Sequence, residues 1–405
     1  MNRVAEQYVK LVLALGEHDA DYVDAYYGPE DWRNEVRAAR KSLPAIKSEA
    51  SLLLTQLPRI DASRAEVLIQ LRKQYLSKQL QSLIARVEIL QGKKLPFDDE
   101  AKSLYDAEPP HRSDLQFSET LKQIDSVLSG KGTLIERYEG YKKKFVIPVE
   151  KLDGIFSAAI AECRARTKQH IDLPSAERFS VEYVKNKSWS GYNWYKGNSY
   201  SIIQVNTDLP ISIDRAIDLA AHEGYPGHHV YNALLEDLML KNRNWVEFSV
   251  YALFSPQSLI AEGTANFGIE VAFPGKERLD FERRILFPLA GIDPASADQY
   301  YTLFALVSQL SYAGNEAARR YLNGHYTKEE TVSWLIEFAL MPRERAEQRV
   351  RFFDQYRSYV INYNLGLDLV RRYIDRRGGT ADNPSKRWEE FRLLLASPRL
   401  PSGLI

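Results

Sequence analysis

The sequence of 405 residues contains a single cysteine, Cys163. One cysteine cannot form an intramolecular disulfide, and it cannot supply the four thiolates of a cysteine-based structural zinc site. The sequence therefore excludes a disulfide framework and a four-cysteine zinc module. Both absences agree with an intracellular protein.

The chain also lacks net charge and long apolar runs. It carries 54 basic and 54 acidic residues, a balance that argues against bulk attraction to nucleic acid or to an anionic membrane. The apolar patch at residues 1–16 is interrupted by Glu6 and Lys10, and no small-residue cleavage pattern follows it. No later run is long enough to span a bilayer. The sequence therefore predicts a cytoplasmic protein with no nucleic-acid or membrane partner.

Helical periodicity is what the chain has in abundance. Apolar and charged residues alternate at three- and four-residue spacing in residues 4–15, 65–90, 116–128, 133–144 and 151–167. Helical segments follow again in residues 300–322, 328–340, 343–373 and 384–395. Residues 179–206 are instead rich in aromatic and β-branched side chains, and Gly197-Asn198 is suited to a hairpin turn. The sequence predicts a mainly α protein with a small antiparallel β-meander next to the following helix. We expect one compact body whose two halves, residues 1–148 and 149–405, flank a cleft.

The most informative stretch is residues 221–229, Ala-His-Glu-Gly-Tyr-Pro-Gly-His-His, which holds three of the seven histidines. In the usual His-Glu-x-x-His zinc helix the two histidines lie four residues apart on one face, so both reach one ion. Here Pro226 occupies the fourth position, and a regular helix would turn His228 away from His222. Because proline disrupts a helix interior and Gly227 adds backbone freedom, we expect a bulge or a break.

The size of that bulge decides which histidine joins His222. A bulge that absorbs two residues places His228 beside it, and one that absorbs three places His229 there. We predict His228 as the second metal ligand, with His229 as the alternative. Glu223 would then accept the proton of a metal-activated water. The competing interpretation is a helix that ends at Tyr225 and is followed by two surface histidines.

Residues 259–268 supply a candidate third ligand. This helical segment holds one carboxylate, Glu262, among apolar neighbours. A buried carboxylate needs a cation or must be protonated, and a zinc ion meets that need. Gly263 and the neighbouring alanines would allow close approach to the histidine helix. Glu270, two turns further on, is a candidate hydrogen-bond partner for a ligand histidine. The alternative is that Glu262 lies on the surface.

The histidine motif, preceded by residues 203–210 and followed by the Ala-Glu-Gly of residues 261–263, resembles the bacterial family called domain of unknown function 885. Residues 21–29 and 359–366 are also similar to it, so the resemblance covers nearly the whole chain. That family is similar to the gluzincin metallopeptidases, whose zinc is held by two histidines and a glutamate. The resemblance implies a gluzincin-like helical body with a cleft.

Carried over residue by residue, the resemblance implies Zn²⁺ ligands at His222, His228 and Glu262, with Glu223 as the base. No further cofactor-binding residues are implied.

The C-terminal part of the resemblance has one departure. The family's late helix often reads Pro-Gly-Gln-Ala before a Tyr-x-x-Gly, whereas this chain has Arg-Ser-Tyr-Val at residues 357–360 before the Tyr-x-x-Gly of residues 363–366. The preceding turn is therefore altered. A tyrosine hydroxyl can stabilise the oxyanion formed when water attacks a carbonyl. We predict Tyr363 in this role, with Tyr359 as the alternative.

Together these features predict a zinc-dependent hydrolase that cleaves peptide bonds in short peptides. A free strand edge beside the metal helix could pair with an extended peptide substrate. One alternative is a zinc hydrolase of a non-peptide amide or a conjugated amino acid. Another is a non-catalytic helical protein with a structural metal site, which a fourth protein ligand such as His229 would close.

Overall fold

The computed structural model describes residues 1–62 and 65–405 of the chain. Helices account for 67% of the described residues and strands for 7%, which confirms the predicted mainly α class. The first helices are α1 (Asn2–Gly16), α2 (Glu30–Ala39), α3 (Leu43–Gln56), α4 (Val67–Leu90), α5 (Phe97–Tyr105), α6 (Asp114–Val127), α7 (Leu134–Lys142) and α8 (Leu152–Lys168). The later helices are α9 (Asp214–Leu219), α10 (His228–Leu234), α11 (Pro256–Ala272), α12 (Glu277–Phe281), α13 (Phe287–Ala290), α14 (Ala297–Ser308), α15 (Ala313–Leu322), α16 (Lys328–Ala339), α17 (Arg343–Tyr356), α18 (Ile361–Arg376) and α19 (Pro384–Leu395).

Several helices begin where the local sequence caps them. Thr133 accepts a hydrogen bond from the Glu136 N–H at the start of α7, and the Glu136 carboxylate accepts one from the Thr133 N–H in return. Thr327 and Glu330 form the same pair at the start of α16. Such pairs satisfy N–H groups that have no partner inside the helix. The periodic segments between residues 4 and 167 form α1, α4, α6, α7 and α8, whereas α2, α3 and α5 were not predicted.

One cluster of buried apolar residues extends from Val4 to Leu404 and includes both predicted halves of the chain. Helix α11 is buried along nearly its whole length and packs against α18, α19, α5 and α4. The division at residues 148 and 149 falls between α7 and α8 and stays a prediction. In the described part of the chain, no helix combines the length and apolarity that crossing a membrane requires.

The strands are β1 (Val23–Tyr26), β2 (Arg178–Val184), β3 (Gly191–Tyr195), β4 (Tyr200–Asn206) and β5 (Val250–Ala252). β1 pairs antiparallel with β5 in a two-stranded sheet. β3 and β4 form an antiparallel hairpin, and Gly197 and Asn198 take positive φ angles of 78° and 53° in its turn. The predicted hairpin turn is therefore confirmed.

The predicted meander order is wrong for β2, which pairs parallel with β4, so the sheet order is β2-β4-β3. The connection from β2 to β3 crosses the end of β4 and is held there by two side chains. Asn206 Nδ2 donates to the carbonyls of Lys187 and Trp189 at 3.0 and 2.8 Å. The Asp208 carboxylate accepts the N–H groups of Asn186 and Lys187. These two polar side chains, at and just after the end of β4, hold the crossing connection in place of the tight turn that a meander has.

Candidate metal centre

The helix that carries His222 widens before it ends. α9 continues into a π-helical turn at Ala220–Gly224, and the Gly227 N–H then bonds to the carbonyl of Ala221, six residues back, at 2.9 Å. A regular α-helix closes each turn after four residues, so this turn contains two extra residues. α10 begins at His228, which returns that side chain to His222.

Gly227 makes this return possible. A Cβ atom at Gly227 would lie 1.9 Å from the carbonyl oxygen of His222 and 2.4 Å from that of Ala221, so a larger residue cannot occupy the position. Pro226 packs against α11, where a Cβ on Gly268 would come within 3.1 Å of the proline ring. The Pro-Gly pair thus both widens the helix end and presses it against α11.

Three ligand-type atoms converge between the two helices. Nε2 of His222 lies 3.1 Å from Nε2 of His228, and Oε2 of Glu262 lies 3.2 Å from the first nitrogen and 3.7 Å from the second. Ligands about 2.0–2.1 Å from a tetrahedral zinc ion would stand roughly 3.3 Å apart. The three atoms therefore fit three corners of a zinc coordination sphere.

The hydrogen bonding of Glu262 supports the same fit. Its Oε2 is buried and has no hydrogen-bond partner among the described residues, although both imidazoles lie close to it. Its Oε1 accepts a hydrogen bond from the Tyr359 hydroxyl at 2.8 Å. One carboxylate oxygen is thus held in place, while the other faces the two histidines and would gain a partner from a bound cation.

Asn266 fixes which nitrogen of His222 faces the cluster. Its Nδ2 donates to the backbone carbonyl of Tyr363 at 2.9 Å, and a carbonyl can only accept. The other end of the amide, Oδ1, lies 3.0 Å from Nδ1 of His222 and must accept there. Nδ1 therefore carries a proton, and the lone pair of neutral His222 is on Nε2, as a metal ligand requires.

The electrostatics of the three groups are strongly coupled. Burial lowers the pKa of His222, but the carboxylates of Glu262 and Glu223 outweigh burial and raise that pKa to about 9. Burial raises the pKa of Glu262, but His228 and His222 outweigh it and hold that pKa well below its usual range. A proton and a metal ion would thus compete for the same atoms, as they do at metal sites generally.

The structure places His229 away from this cluster. Its ring is fully buried, with Nδ1 2.8 Å from the Ser201 hydroxyl and Nε2 3.3 Å from the Glu177 carboxylate. Tyr225 and Arg164 also bind that carboxylate. His229 therefore links α10 to the three-stranded sheet, and His228 is the histidine beside His222.

Glu223 lines a cavity of about 370 Å³ that opens beside the three ligand atoms. Gly191 of β3 lies close to this carboxylate, since a Cβ there would be 2.9 Å from Glu223 Oε1. Tyr363 lines the same cavity, and its ring centroid is 5.9 Å from that of Tyr359. The two tyrosines differ in their contacts, because of the two only the Tyr359 hydroxyl donates to Glu262.

Three residues of this centre were missed or misplaced by the sequence prediction. Glu270, expected to support a ligand histidine, pairs instead with Arg371. Asn266 holds His222 in its place, and its position four residues after Glu262 on one helix face is a signal that could have identified it. Asp24 of β1 was also missed. It lines the cavity, and burial raises the pKa of its carboxyl to about 6.

The sequence matches no protein-family model, and no curated protein matches it. Among solved structures, it is similar to one described as a "putative lipoprotein" from Colwellia psychrerythraea, with a TM-score of 0.57, 16% identity, and coverage of 90% of this chain and 68% of that chain. A "putative lipoprotein of unknown function" from Shewanella oneidensis has a TM-score of 0.48 and 15% identity over 93% of this chain and 78% of that chain. The first likeness shows a shared fold alone. The resemblance to domain of unknown function 885 stays a prediction.

Proposed function

We propose that the protein is a zinc-dependent hydrolase that cleaves peptide bonds in short peptides. One observation carries this proposal: Nε2 of His222, Nε2 of His228 and Oε2 of Glu262 converge within 4.8 Å of one another, at the wall of a cavity that Glu223 also lines. Three protein ligands with an open side and a neighbouring carboxylate are typical of catalytic zinc centres.

In this proposal His222, His228 and Glu262 hold the metal. When bound, zinc lowers the pKa of a coordinated water and polarises a carbonyl. Glu223 accepts a proton from water as it attacks the peptide carbonyl, and it then delivers that proton to the leaving amine. Asn266 keeps the ring of His222 oriented through its Nδ1 proton.

Tyr363 is the proposed donor to the carbonyl oxygen as negative charge develops on it. Tyr359 is less suited to that role because its hydroxyl already donates to Glu262. The Tyr359 hydroxyl instead fixes the orientation of the Glu262 carboxylate. The role predicted for Tyr363 therefore stays with that residue in the proposed mechanism.

The sheet supports a peptide substrate. β3 is an edge strand, and the Asn193 side chain ties it to the metal helix by donating to the carbonyl of Glu223 at 2.7 Å. The Lys196 N–H donates to the backbone carbonyl of Tyr200 in β4, so the backbone groups of Lys196 face β4. Alternate residues of a strand direct their backbone N–H and C=O groups to opposite sides. The backbone groups of Gly191 and Asn193 therefore face away from β4, at the free edge. An extended peptide could pair there.

The structural-metal alternative loses support from the position of His229. A structural zinc is usually closed by four protein ligands. In residues 1–62 and 65–405, the metal-type cluster comprises only His222, His228 and Glu262, and His229 is engaged by Ser201 and Glu177. The open side faces the cavity, as substrate access requires.

Metal analysis of the purified protein, coupled to digestion of a defined mixture of short peptides, tests the proposal. We expect about one zinc per chain and cleavage products by mass spectrometry. Glu223→Gln should keep the zinc and abolish cleavage. Zinc at that level with no cleavage of any peptide would favour the hydrolase of a non-peptide amide or conjugated amino acid. Full activity in Glu223→Gln would refute the role given to that residue.

A further inference from the structure

The wall of the cavity formed by α17 carries unpaired positive charge. Arg345 and Arg349 lie one helical turn apart on this helix, and both line the cavity that contains the candidate metal centre. Arg215, at the start of the metal helix, lines it too. Arg215 forms an ion pair with Asp218 at 3.2 Å. The other two guanidinium groups have no such neighbour.

Arg349 is the clearest case. It forms no hydrogen bond or ion pair with any described residue, and its Nε is fully buried without a partner. The rings of Phe352 and Tyr363 pack around the guanidinium, with centroids 4.9 and 5.9 Å from Cζ. Aromatic packing stabilises the charge, but it does not satisfy N–H donors in the guanidinium plane. These donors remain available to an anion.

Arg345 has the same lack of a partner. No side chain in the part of the chain that the structure describes forms an ion pair with it. Burial lowers its pKa, and the positive charge of Arg215 lowers it further. Burial and the positive charge of Arg345 likewise lower the pKa of Arg349. Partly buried charges of one sign that form no ion pair are costly, so the pair is suited to receive a negative group from a ligand.

We propose that Arg345 and Arg349 bind a carboxylate of the substrate. This inference rests on the proposed peptide hydrolysis, because it assigns a function to the wall facing the metal centre. A guanidinium matches a carboxylate with two parallel N–H donors. Two arginines one turn apart on α17 could share its two oxygens.

The reach from the metal centre limits the substrate. The Arg349 guanidinium is 5.9 Å from the Tyr363 ring, which is 5.9 Å from the Tyr359 ring, and the Tyr359 hydroxyl contacts Glu262. The two ring steps bound the distance from the Arg349 guanidinium to the Tyr359 ring at about 12 Å, and only the Tyr359 hydroxyl and the Glu262 carboxylate separate that ring from the metal centre. The bound carboxylate therefore lies within a few residues of the scissile bond. It is either the free C-terminus of a short peptide or an acidic side chain near that bond.

Equilibrium binding to the full-length, zinc-loaded Glu223→Gln protein tests the inference without turnover. The ligands are three tetrapeptides: tetra-alanine with a free C-terminus, tetra-alanine with a C-terminal amide, and Ala-Ala-Ala-Glu with a C-terminal amide. We expect the free acid to bind at least ~10-fold more tightly than the neutral amide. Recovery of that gain by the glutamate peptide would identify a side chain as an accepted source of the carboxylate, and its absence would identify the C-terminus.

Substitutions then assign the effect to the pair. Arg349→Gln and Arg345→Gln should each reduce the preference for the free acid, and the double variant should abolish it, with zinc content and amide binding unchanged. Arg349→Lys should restore part of the preference, since it keeps the charge without the planar donors. Arg343→Gln is the matched control, because Arg343 is exposed on the same helix and pairs with Glu329.

Two results would overturn the inference. One is equal affinity for the free acid and the neutral amide in the protein that keeps both arginines, a comparison that needs no folded variant. The other is a preference for the free acid that survives in the double variant. Neither result depends on cleavage, so failure of peptide hydrolysis in the unsubstituted enzyme is a separate outcome.

Discussion

The side-chain carbonyl of Asn266 lies 3.0 Å from Nδ1 of His222. Since the amide nitrogen of Asn266 is committed to the backbone carbonyl of Tyr363, the carbonyl end can only accept from the imidazole. One side chain on α11 thus joins the metal helix to α18 and sets the tautomer of a candidate ligand. Removal of this contact should weaken metal binding and leave the ligand atoms themselves intact.

We therefore expect Asn266→Ala to lower zinc affinity by about 10- to 100-fold, the range typical for loss of a group that supports a metal ligand. Competition with a chelator of known affinity measures the effect. Asn266→Asp keeps an acceptor for His222 and should bind zinc more tightly than Asn266→Ala. Equal zinc affinity in Asn266→Ala and the unsubstituted protein would show that the hydrogen bond does not support the ligand.

The adjacent histidines provide a matched pair of variants. His228→Ala should lose zinc because it removes one of three converging ligands. His229→Ala should keep zinc but lower the free energy of unfolding by about 1–3 kcal/mol, since it leaves the buried Ser201 hydroxyl without this partner and removes one of the hydrogen bonds to the Glu177 carboxylate. Metal analysis and urea denaturation of both variants check this contrast. Loss of zinc in His229→Ala together with retention in His228→Ala would reverse the proposed ligand set.

The close contact between α11 and α18 depends on two glycines. A Cβ on Gly263 would lie 2.5 Å from the backbone of Gly366, so the helices touch through their main chains beside Glu262 and the two tyrosines. Gly263→Ala should destabilise the fold by roughly 1–3 kcal/mol or more, as overpacking does. Gly154→Ala is the control, because α8 leaves open space at that position and alanine favours a helix by about 1 kcal/mol. Thermal unfolding of the two variants should therefore shift in opposite directions.

Sequence patterns predicted much of this centre because its chemistry is local. Pro226 and Gly227 predicted a bulge or a break in the helix, and the spacing limited the second ligand to His228 or His229. The choice between them depends on how many residues the bulge absorbs, which the packing of Gly227 on the helix end decides. The contact of Gly227 with the end of the metal helix cannot be predicted from the sequence alone.

Other features depend on pairings between distant segments. Gly263 was expected to face the histidine helix but packs on Gly366 of α18, while Gly268 takes the position beside Pro226. The parallel pairing of β2 is accompanied by the side-chain anchors of Asn206 and Asp208, which no strand periodicity reveals. Arg349 resembles any charged residue of an amphipathic helix until the cavity beside it is known.

The buried carboxylate of Glu177 predicts a pH dependence of stability. Burial raises its pKa, but hydrogen bonds from His229, Tyr225 and Arg164 outweigh burial and lower it to about 2. A carboxyl with a lower pKa in the folded state stabilises the fold above its unfolded pKa, near 4.5, and loses that contribution as pH falls toward 2. Glu177→Gln should therefore remove about 2–3 kcal/mol at pH 7 and flatten the fall in stability between pH 5 and pH 3. Urea denaturation over that range measures the slope. Glu119→Gln, at an exposed position of α6, should keep the slope of the unsubstituted protein, and an unchanged slope in Glu177→Gln would show that this carboxylate does not govern acid stability.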